Sequence, residues 1–581
     1  MRSPSLLSLD GVSAILDERA GPRSTAVTLV LWNAEPGFAE ALLARSDVAS
    51  VILTGNGRVP AVSHPERCGW WDPETEQLVL PTVMASEMHY FVPGGHWPFG
   101  IQSTYHLLLR KVWRVVLHDI DFGTFRTNMA ALLLNALSRS GSYRLSRTTI
   151  GKRLYRVTSA PAVNAIRRRI NQARDTSDAN RAGIMLVAGS LGPGGSERQT
   201  VNTLLGLSAA GISDLSLLHA HGLVPPHDFF HPVLKEAGIT CLHLEEATAR
   251  ASSYQLPPDQ RAVLLAMGRL GVRRDIVLSY LRIFREKRPE VVHTWLDDIN
   301  VTAGIAAVLA GVPKVIIGGR SLAPDHFPFH QSYMRPIYRI LAEQPNVTII
   351  NNSAAGARDY NRWAGLTSDV EVIRNGFVFD EVNVSNDLIA KDLRKIAGAD
   401  ANAQLVGTVM RLSAEKQPHL WLDIAARVGK SRPNTHFVIM GDGPLMGELA
   451  NRVDASELKG RVSFLGRRQN AAKLLAGLDV FLLTSSVEGL PNVVVEAQSE
   501  GVPVVASDVG GVGEVFVDGQ TGLLVRQRSA DAFADAVLKT LADSGMRQRA
   551  HEQAPVLMRQ NFSVDRMIDE TLKVYGWEPV I

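Results

Sequence analysis

The chain has 581 residues, with 61 lysines and arginines against 58 aspartates and glutamates, a formal net charge of +3. Hydrophobic residues make up 45% and charged residues 20%, which excludes an intrinsically disordered chain and lacks the general basic character of a nucleic-acid-binding one. Two cysteines, Cys68 and Cys241, exclude a disulfide framework and a cysteine-based zinc site and fit a reducing compartment.

At about 150 residues per domain, the length allows three or four domains. The opening segment MRSPSLLSLDGVSAILDERAG lacks the apolar core of a signal peptide. No window reaches the roughly 18 uninterrupted apolar residues of a membrane-spanning helix. The best run, Gly304 to Gly319, is broken by Pro313 and Lys314. A cytoplasmic chain is expected.

In chain order, TAVTLVLWNAE (25–35) and VASVILTGNG (48–57) predict the two strands of a βαβ unit. The apolar stretch 100–120, with basic and aromatic residues interleaved, fits helix or strand equally. Residues 122–174 then contain no acid and eleven arginines and lysines. This stretch reads either as a solvated helical face and linker or as a patch for peripheral contact with anionic membrane. No nucleic-acid-binding module accompanies the charge. The polar, breaker-rich segment that follows predicts a domain boundary near 180.

Beyond it, short apolar runs alternate with helix-like stretches. The first series is 182–190, 214–221, 239–244, 291–295, 314–319 and 346–353. The second is 404–410, 436–443, 461–466, 479–486 and 502–508. Such runs predict parallel strands buried on both faces, hence two doubly wound α/β domains, with 369–380 as the crossover.

Three motifs fall at predicted strand ends. In GSLGPGGSERQTV (189–201), Gly194 and Gly195 let backbone approach a ligand, and Ser196 is placed to cap the following helix, whose N–H groups suit phosphate. An ordinary tight turn is the plain alternative. In TVMRLSAEKQPHL (408–420), Arg411 and Lys416 flank a strand-to-helix turn, where they can hold a diphosphate or stand as solvated loop cations. In TSSVEGLPNVVVEAQSEGVPVVASDVGG (484–511), Glu488 precedes Gly489 and Glu496 lies inside a helix. Eight residues apart, these carboxylates do not share a helical face, but they can grip two ends of an extended, hydroxyl-rich ligand. A capping acid plus a surface acid is the alternative.

Together the motifs resemble the family-4 retaining glycosyltransferases of GT-B fold. The resemblance runs through GPGGSER (192–198), VIRNGF (372–377), GTVMRLSAEKQ (407–417), VIMGDGP (438–444), VSFLGRR (462–468), the E-x7-E segment 485–511, TGLLV (521–525) and FSVDRMIDETLKVY (562–575). It covers about 183–578.

The resemblance implies two Rossmann-like domains facing a cleft, behind an N-terminal α/β accessory domain. The implied division is 1–180 for that domain and the basic linker, 181–375 for the acceptor-side domain, 376–560 for the donor domain, and 561–581 for a helix returning to the first domain. It implies a nucleotide-sugar donor with the diphosphate on Arg411, Lys416 and the Gly194–Gly195 backbone. Glu496 would take the ribose, Glu488 the donor sugar beside the anomeric carbon, and Gly466 and Arg467 the base, with Gly489 and Leu490 lining the donor. Transfer would retain anomeric configuration and need neither metal nor cofactor. The acceptor would be a glycan or lipid-linked glycan.

Family members commonly carry a His-x-His pair. Here VVHTWLDDIN (291–300) keeps His293 and puts Trp295 in the second position. His293 is a candidate donor contact or a structural histidine. Asp297 and Asp298 are candidates for acceptor contact or helix capping, and Arg320 and His326 lie at another cleft position. The expected function is sugar transfer in cell-surface glycan assembly. A sugar-phosphate glycosyltransferase, an epimerase and a catalytically silent binding protein in glycan export are the alternatives.

Overall fold

The computed structural model describes six strands between 27 and 118, and residues 149–175, 180–250, 255–366, 368–379, 386–468 and 470–577. Residues 122–148 of the acid-free stretch and 176–179 of the expected linker lie outside the described residues. The chain divides into two compact units, Met1–Asn164 with Ala266–Val272, and Ala165–Leu265 with Arg273–Ile581.

In the first unit, β1 (Val27–Trp32), β2 (Val48–Thr54), β3 (Cys68–Trp71), β4 (Leu78–Val79), β5 (Glu87–Phe91) and β6 (Arg114–His118) form one sheet in the order β4-β3-β2-β1-β5-β6. The two predicted strands pair in parallel, as β1 and β2. The ambiguous 100–120 stretch contains strand β6. Among the described residues of this unit, only β3 and β4 pair antiparallel. A helix, Thr149–Ala173, follows with Pro161 inside it. Two cations of the acid-free stretch are already paired, Arg167 with Glu343 at 2.8 Å and Arg169 with Asp259 at 3.6 Å.

The second unit holds two further sheets. The first contains β7 (Ile184–Ala188), β8 (Leu215–His219), β9 (Thr240–His243), β10 (Val291–Trp295), β11 (Lys314–Gly319), β12 (Val347–Asn351) and β13 (Glu371–Val372), in the order β13-β12-β11-β10-β7-β8-β9. The other contains β14 (Gln404–Val409), β15 (Thr435–Met440), β16 (Val462–Gly466), β17 (Val480–Leu483), β18 (Val504–Ser507) and β19 (Gly522–Val525), in the order β16-β15-β14-β17-β18-β19. Every pairing in both is parallel. Each sheet starts at an interior strand and winds outward both ways, the Rossmann order.

The apolar runs explain this. In β14, Leu405 enters one apolar cluster and Val406 the other, and neither is exposed. Along β17, Val480, Phe481, Leu482 and Leu483 alternate between the same clusters. A strand apolar on both faces needs helices on both faces, and parallel connections supply them. Among the described residues, no helix is long and apolar enough to cross a membrane.

The two Rossmann-like domains are tied at two chain crossings that run side by side. Phe377 N–H donates to the Phe562 carbonyl at 2.8 Å, and Val564 N–H to the Phe377 carbonyl at 3.2 Å. The last helix, Val564–Tyr575, then buries Met567, Ile568, Leu572 and Tyr575 in the apolar cluster of the β7–β13 sheet. Gly206 makes room for it: a Cβ there would stand 2.5 Å from Ile568 Cγ1 and 2.9 Å from Val564 Cγ1. A bulkier residue normally improves a helix interior over glycine. Gly206→Leu should instead destabilise the protein by about 1–3 kcal/mol, through overpacking against the last helix. An unchanged or raised denaturation midpoint would show that this contact is not tight.

Candidate functional site

In a doubly wound sheet, ligands meet the carboxyl ends of the strands where the winding reverses. Here that edge lies between β7 and β10 in one domain and between β14 and β17 in the other. Each candidate motif leaves one of these strand ends: 189–195 follows β7, 410–417 follows β14, and 484–491 follows β17.

The Gly-Gly turn opens the helix Gly195–Ala209. Its N-cap is Gly194, extended at φ −95° and ψ 161°, with no side-chain capping bond. Ser196, the expected cap, is the second residue of the helix. The helix begins earlier than that expectation, and the carboxylate of Glu197 folds back over the turn. Its Oε1 accepts from Ser190 Oγ at 3.2 Å, and a Cβ on Gly194 would stand 2.1 Å from its Oε2. At Gly195 the other domain arrives: a Cβ would stand 2.9 Å from Asn492 Nδ2, which donates to the Gly195 carbonyl at 3.4 Å.

Glu488 is buried in the loop after β17 and accepts from Lys416 Nζ at 2.5 Å. Lys416 ends a single 3₁₀ turn, Ala414–Lys416. That turn is fastened to the β17 loop by Thr484 Oγ1 donating to the Lys416 carbonyl at 2.9 Å and Ser486 N–H to the Glu415 carbonyl at 2.7 Å. The Glu488 backbone is held from outside by Gly510, at φ +54°, where a Cβ would stand 1.8 Å from the Glu488 carbonyl oxygen. Gly489 touches the opposite domain, since its Cβ would stand 2.6 Å from Ser321 Cα.

Glu496 lies on the helix Asn492–Ser499, only 7% exposed. Burial raises its carboxyl above the ordinary range, and Arg198 opposes that rise. Arg198 Nη2 reaches Glu496 Oε1 at 2.5 Å from the helix Gly195–Ala209. The two glutamates therefore face different cations on different elements, as their eight-residue spacing implied.

Arg411 is exposed just beyond β14. Gly466 ends β16 at φ +64°, and its carbonyl accepts from Gly441 N–H at 2.8 Å. Gly441 in turn lies against Met410, where a Cβ would stand 1.9 Å from the Met410 carbonyl oxygen. Residues 410, 441 and 466 thus share one edge, with exposed Arg467 next to it. The Leu490 side chain belongs to the apolar core, leaving only its backbone for a ligand.

His293 is buried in the middle of β10. Its Nδ1 lies 2.8 Å from Tyr575 Oη, and its ring stacks on Trp295 at 5.1 Å. Desolvation, helped by Arg320, pulls its pKa to about 3, so the ring is neutral at physiological pH. Asp297 and Asp298 open the helix Asp297–Leu309, whose N-cap is Leu296, so neither occupies the capping position. Asp297 accepts from Tyr338 Oη at 2.6 Å and Tyr360 Oη at 2.7 Å, and Asp298 from Tyr333 Oη at 3.3 Å. His326 pairs with Asp359 at 2.9 Å.

Several participants were not assigned roles from the sequence. Arg198 is the partner of Glu496, Tyr575 the partner of His293, and Asn375 donates to Asn492 Oδ1 at 2.5 Å. Glu514 accepts from Ala354 N–H at 2.9 Å and Ala355 N–H at 2.7 Å, so an acid of one domain caps a helix of the other. Arg198 and Asn375 stand inside the quoted motifs GPGGSER and VIRNGF, which was their available signal.

Two Rossmann-like domains with facing strand-end edges define the GT-B class of fold. Residues 390–556 match the family described as "Glycosyl transferases group 1". The Vi polysaccharide biosynthesis protein VipC/TviE of Salmonella typhi is 27% identical over 418 residues, 68% of this chain and 72% of that protein. The UDP-Gal:alpha-D-GlcNAc-diphosphoundecaprenol alpha-1,3-galactosyltransferase of Escherichia coli is 28% identical over 276 residues, 46% of this chain and 70% of that one. Among solved structures, Anabaena Alr3699/HepE in complex with UDP and glucose has a TM-score of 0.55 at 21% identity, covering 68% of this chain and 100% of that chain. The family match and these relatives support a group 1 glycosyltransferase.

Removing Arg198 strands a buried carboxylate. Arg198→Ala should cost about 1–3 kcal/mol, below the figure for a fully buried pair because Arg198 is partly exposed. The unpartnered carboxyl would titrate higher still, so the loss should be complete at pH 8 and shrink as the pH falls and Glu496 takes a proton. Urea unfolding of variant and parent at pH 8 and pH 5 tests this, and an equal deficit at both values would contradict the pairing.

Proposed function

We propose that this protein is a retaining glycosyltransferase that moves a sugar from a nucleoside diphosphate-sugar to an acceptor hydroxyl, without a divalent metal, in the assembly of a polysaccharide or glycoconjugate. The observation that carries this reading is the convergence, where the two strand-end edges meet, of the Gly194–Gly195 turn, the Lys416–Glu488 pair and the Arg198–Glu496 pair. Two cations, a free helix start and two buried carboxylates match the parts of such a donor: diphosphate, ribose and sugar.

In this reading Arg411 and Lys416 neutralise the diphosphate, in the place a metal would otherwise take. Glu496 accepts hydrogen bonds from the ribose hydroxyls. Glu488 holds the sugar beside its anomeric carbon and positions it. The C1–O bond breaks with its electron pair leaving on the nucleoside diphosphate. The acceptor oxygen bonds to C1 from the same face, and its proton passes to the departing phosphate oxygen. Retention follows from attack on the face that the leaving group vacates. Neutral His293 supplies a hydrogen-bonding ring without adding charge. The acceptor, a glycan or lipid-linked glycan, would bind on the first domain.

Incubating the purified chain with uridine, guanosine and adenosine diphosphate-sugars should release the nucleoside diphosphate from one of them. Glu488→Ala should abolish that turnover while leaving nucleoside diphosphate affinity within a few-fold of the parent. No turnover with any donor by the cleanly folded protein would favour a silent binding protein. Arg411→Ala should weaken nucleoside diphosphate binding by about tenfold to a hundredfold. Unchanged affinity by calorimetry would remove Arg411 from the site.

A further inference from the structure

Arg320 stands at the end of β11, and three observations set it apart from the carboxylate-paired cations of the cleft. First, Arg198 has Glu496, Lys416 has Glu488 and Arg374 has Glu514 within 4.0 Å. Among the described residues no carboxylate forms an ion pair with Arg320. Its guanidinium instead lies 4.1 Å over the ring of Trp295, and its Nη2 donates to the buried amide oxygen of Asn375. Burial alone pulls its pKa down, to about 9, so the charge remains at physiological pH without a compensating acid. An uncompensated, largely desolvated cation is costly unless an anion visits it.

Second, the atoms around it form a donor-rich patch. Arg320 Nε, Trp295 Nε1 and His293 Nε2 are all buried without hydrogen-bond partners. Arginine and indole nitrogens only donate, and His293 Nε2 joins them in the tautomer whose Nδ1 accepts from Tyr575 Oη.

Third, its place is fixed relative to both domains. Asn375 Nδ2 donates to Asn492 Oδ1 at 2.5 Å, and Asn492 Nδ2 to the Gly195 carbonyl. This chain of contacts links Arg320 to the starts of the helices Gly195–Ala209 and Asn492–Ser499, both positive ends. The Arg320 carbonyl packs against Gly489, whose Cβ would stand 2.8 Å from it, directly after Glu488.

We infer that Arg320 is a third diphosphate-binding cation, supplied by the acceptor-side domain and engaging the donor's phosphates opposite Arg411 and Lys416. The inference rests on the glycosyltransferase reading above. A cation and two helix starts suit a multiply charged anion, and the diphosphate is the one that reaction brings here. Trp295, in the position where relatives of the His-x-His type carry histidine, serves as the platform that orients the guanidinium.

The test is calorimetric binding of UDP, GDP and ADP, and of the matching monophosphates, to the full chain and to Arg320→Gln and Arg320→Ala. Both variants should lose about tenfold or more in affinity for the preferred diphosphate and less than threefold for its monophosphate. Equal losses for the two ligands would assign Arg320 a structural role and overturn the inference, as would unchanged diphosphate binding. Should the Arg320 variants not fold, Asn375→Ala, which frees the guanidinium from its anchor, must show the same selective loss. Weakened binding in Arg411→Ala with none in the Arg320 variants defeats this inference alone. A parent protein that binds no nucleoside diphosphate defeats the glycosyltransferase reading and this inference with it.

Discussion

A strand with no polar face must be covered on both sides, and this requirement organises the second unit. Leu405 and Val406 point into separate apolar clusters, as do Phe481 and Leu482. Only parallel pairing with crossover helices covers both sides of such strands. Parallel pairing then puts every strand's carboxyl end on one edge and makes that edge the place for variable, ligand-facing loops. Two sheets built this way each have one such edge. The side-by-side crossings at Phe377 and Val564 connect the domains, and Asn492 against Gly195 and Gly489 against Ser321 bring the loops of those edges into contact.

The same packing places carboxylates where water is scarce, and each arrives with a cation from another element. Glu488 takes Lys416 within its own domain, while Glu496 takes Arg198 across the cleft. Lys416 and Arg198 are thereby neutralised by these carboxylates. Under the proposed function, a ribose on Glu496 shares that carboxylate with Arg198, and a diphosphate shares Lys416 with Glu488. At these two pairs, donor binding is then an exchange of partners. Because Arg198 belongs to the opposite domain, that exchange couples ribose recognition to how closely the domains approach.

Much of this was legible locally. The eleven apolar runs of the two series mark strands β7–β12 and β14–β18 to within three residues, because continuous hydrophobicity over four to eight residues is a signal carried by neighbours in sequence. The Arg411, Lys416 and Glu488 loops were legible because they follow such runs. What escaped depends on residues far apart. Arg198 and Glu496 meet across 298 positions and His293 and Tyr575 across 282, and no local pattern announces either pair. Ser196 is a good capping side chain in sequence, whereas the helix start at Gly195, one residue earlier, is visible only in space. Asp297 was read as a candidate for capping or acceptor contact because its two tyrosine partners come from later helices.

Once the paired charges are set aside, the remaining ones are informative. Among the described residues, neither Arg411 nor Arg320 forms an ion pair with a carboxylate, and they stand on strand ends of different sheets. Under the proposed function, these two positive charges match the two negative charges that a diphosphate ester presents. His293 fits the same logic. It lies beside Trp295, on whose ring Arg320 rests, and Arg320 is one of the causes that hold its pKa low. A positive charge there would repel Arg320. A neutral imidazole avoids that repulsion and still offers a hydrogen bond. The replacement of the expected second histidine by Trp295 therefore does more than remove a ligand. It exchanges a titratable ring for a flat one on which a permanently charged arginine can be held.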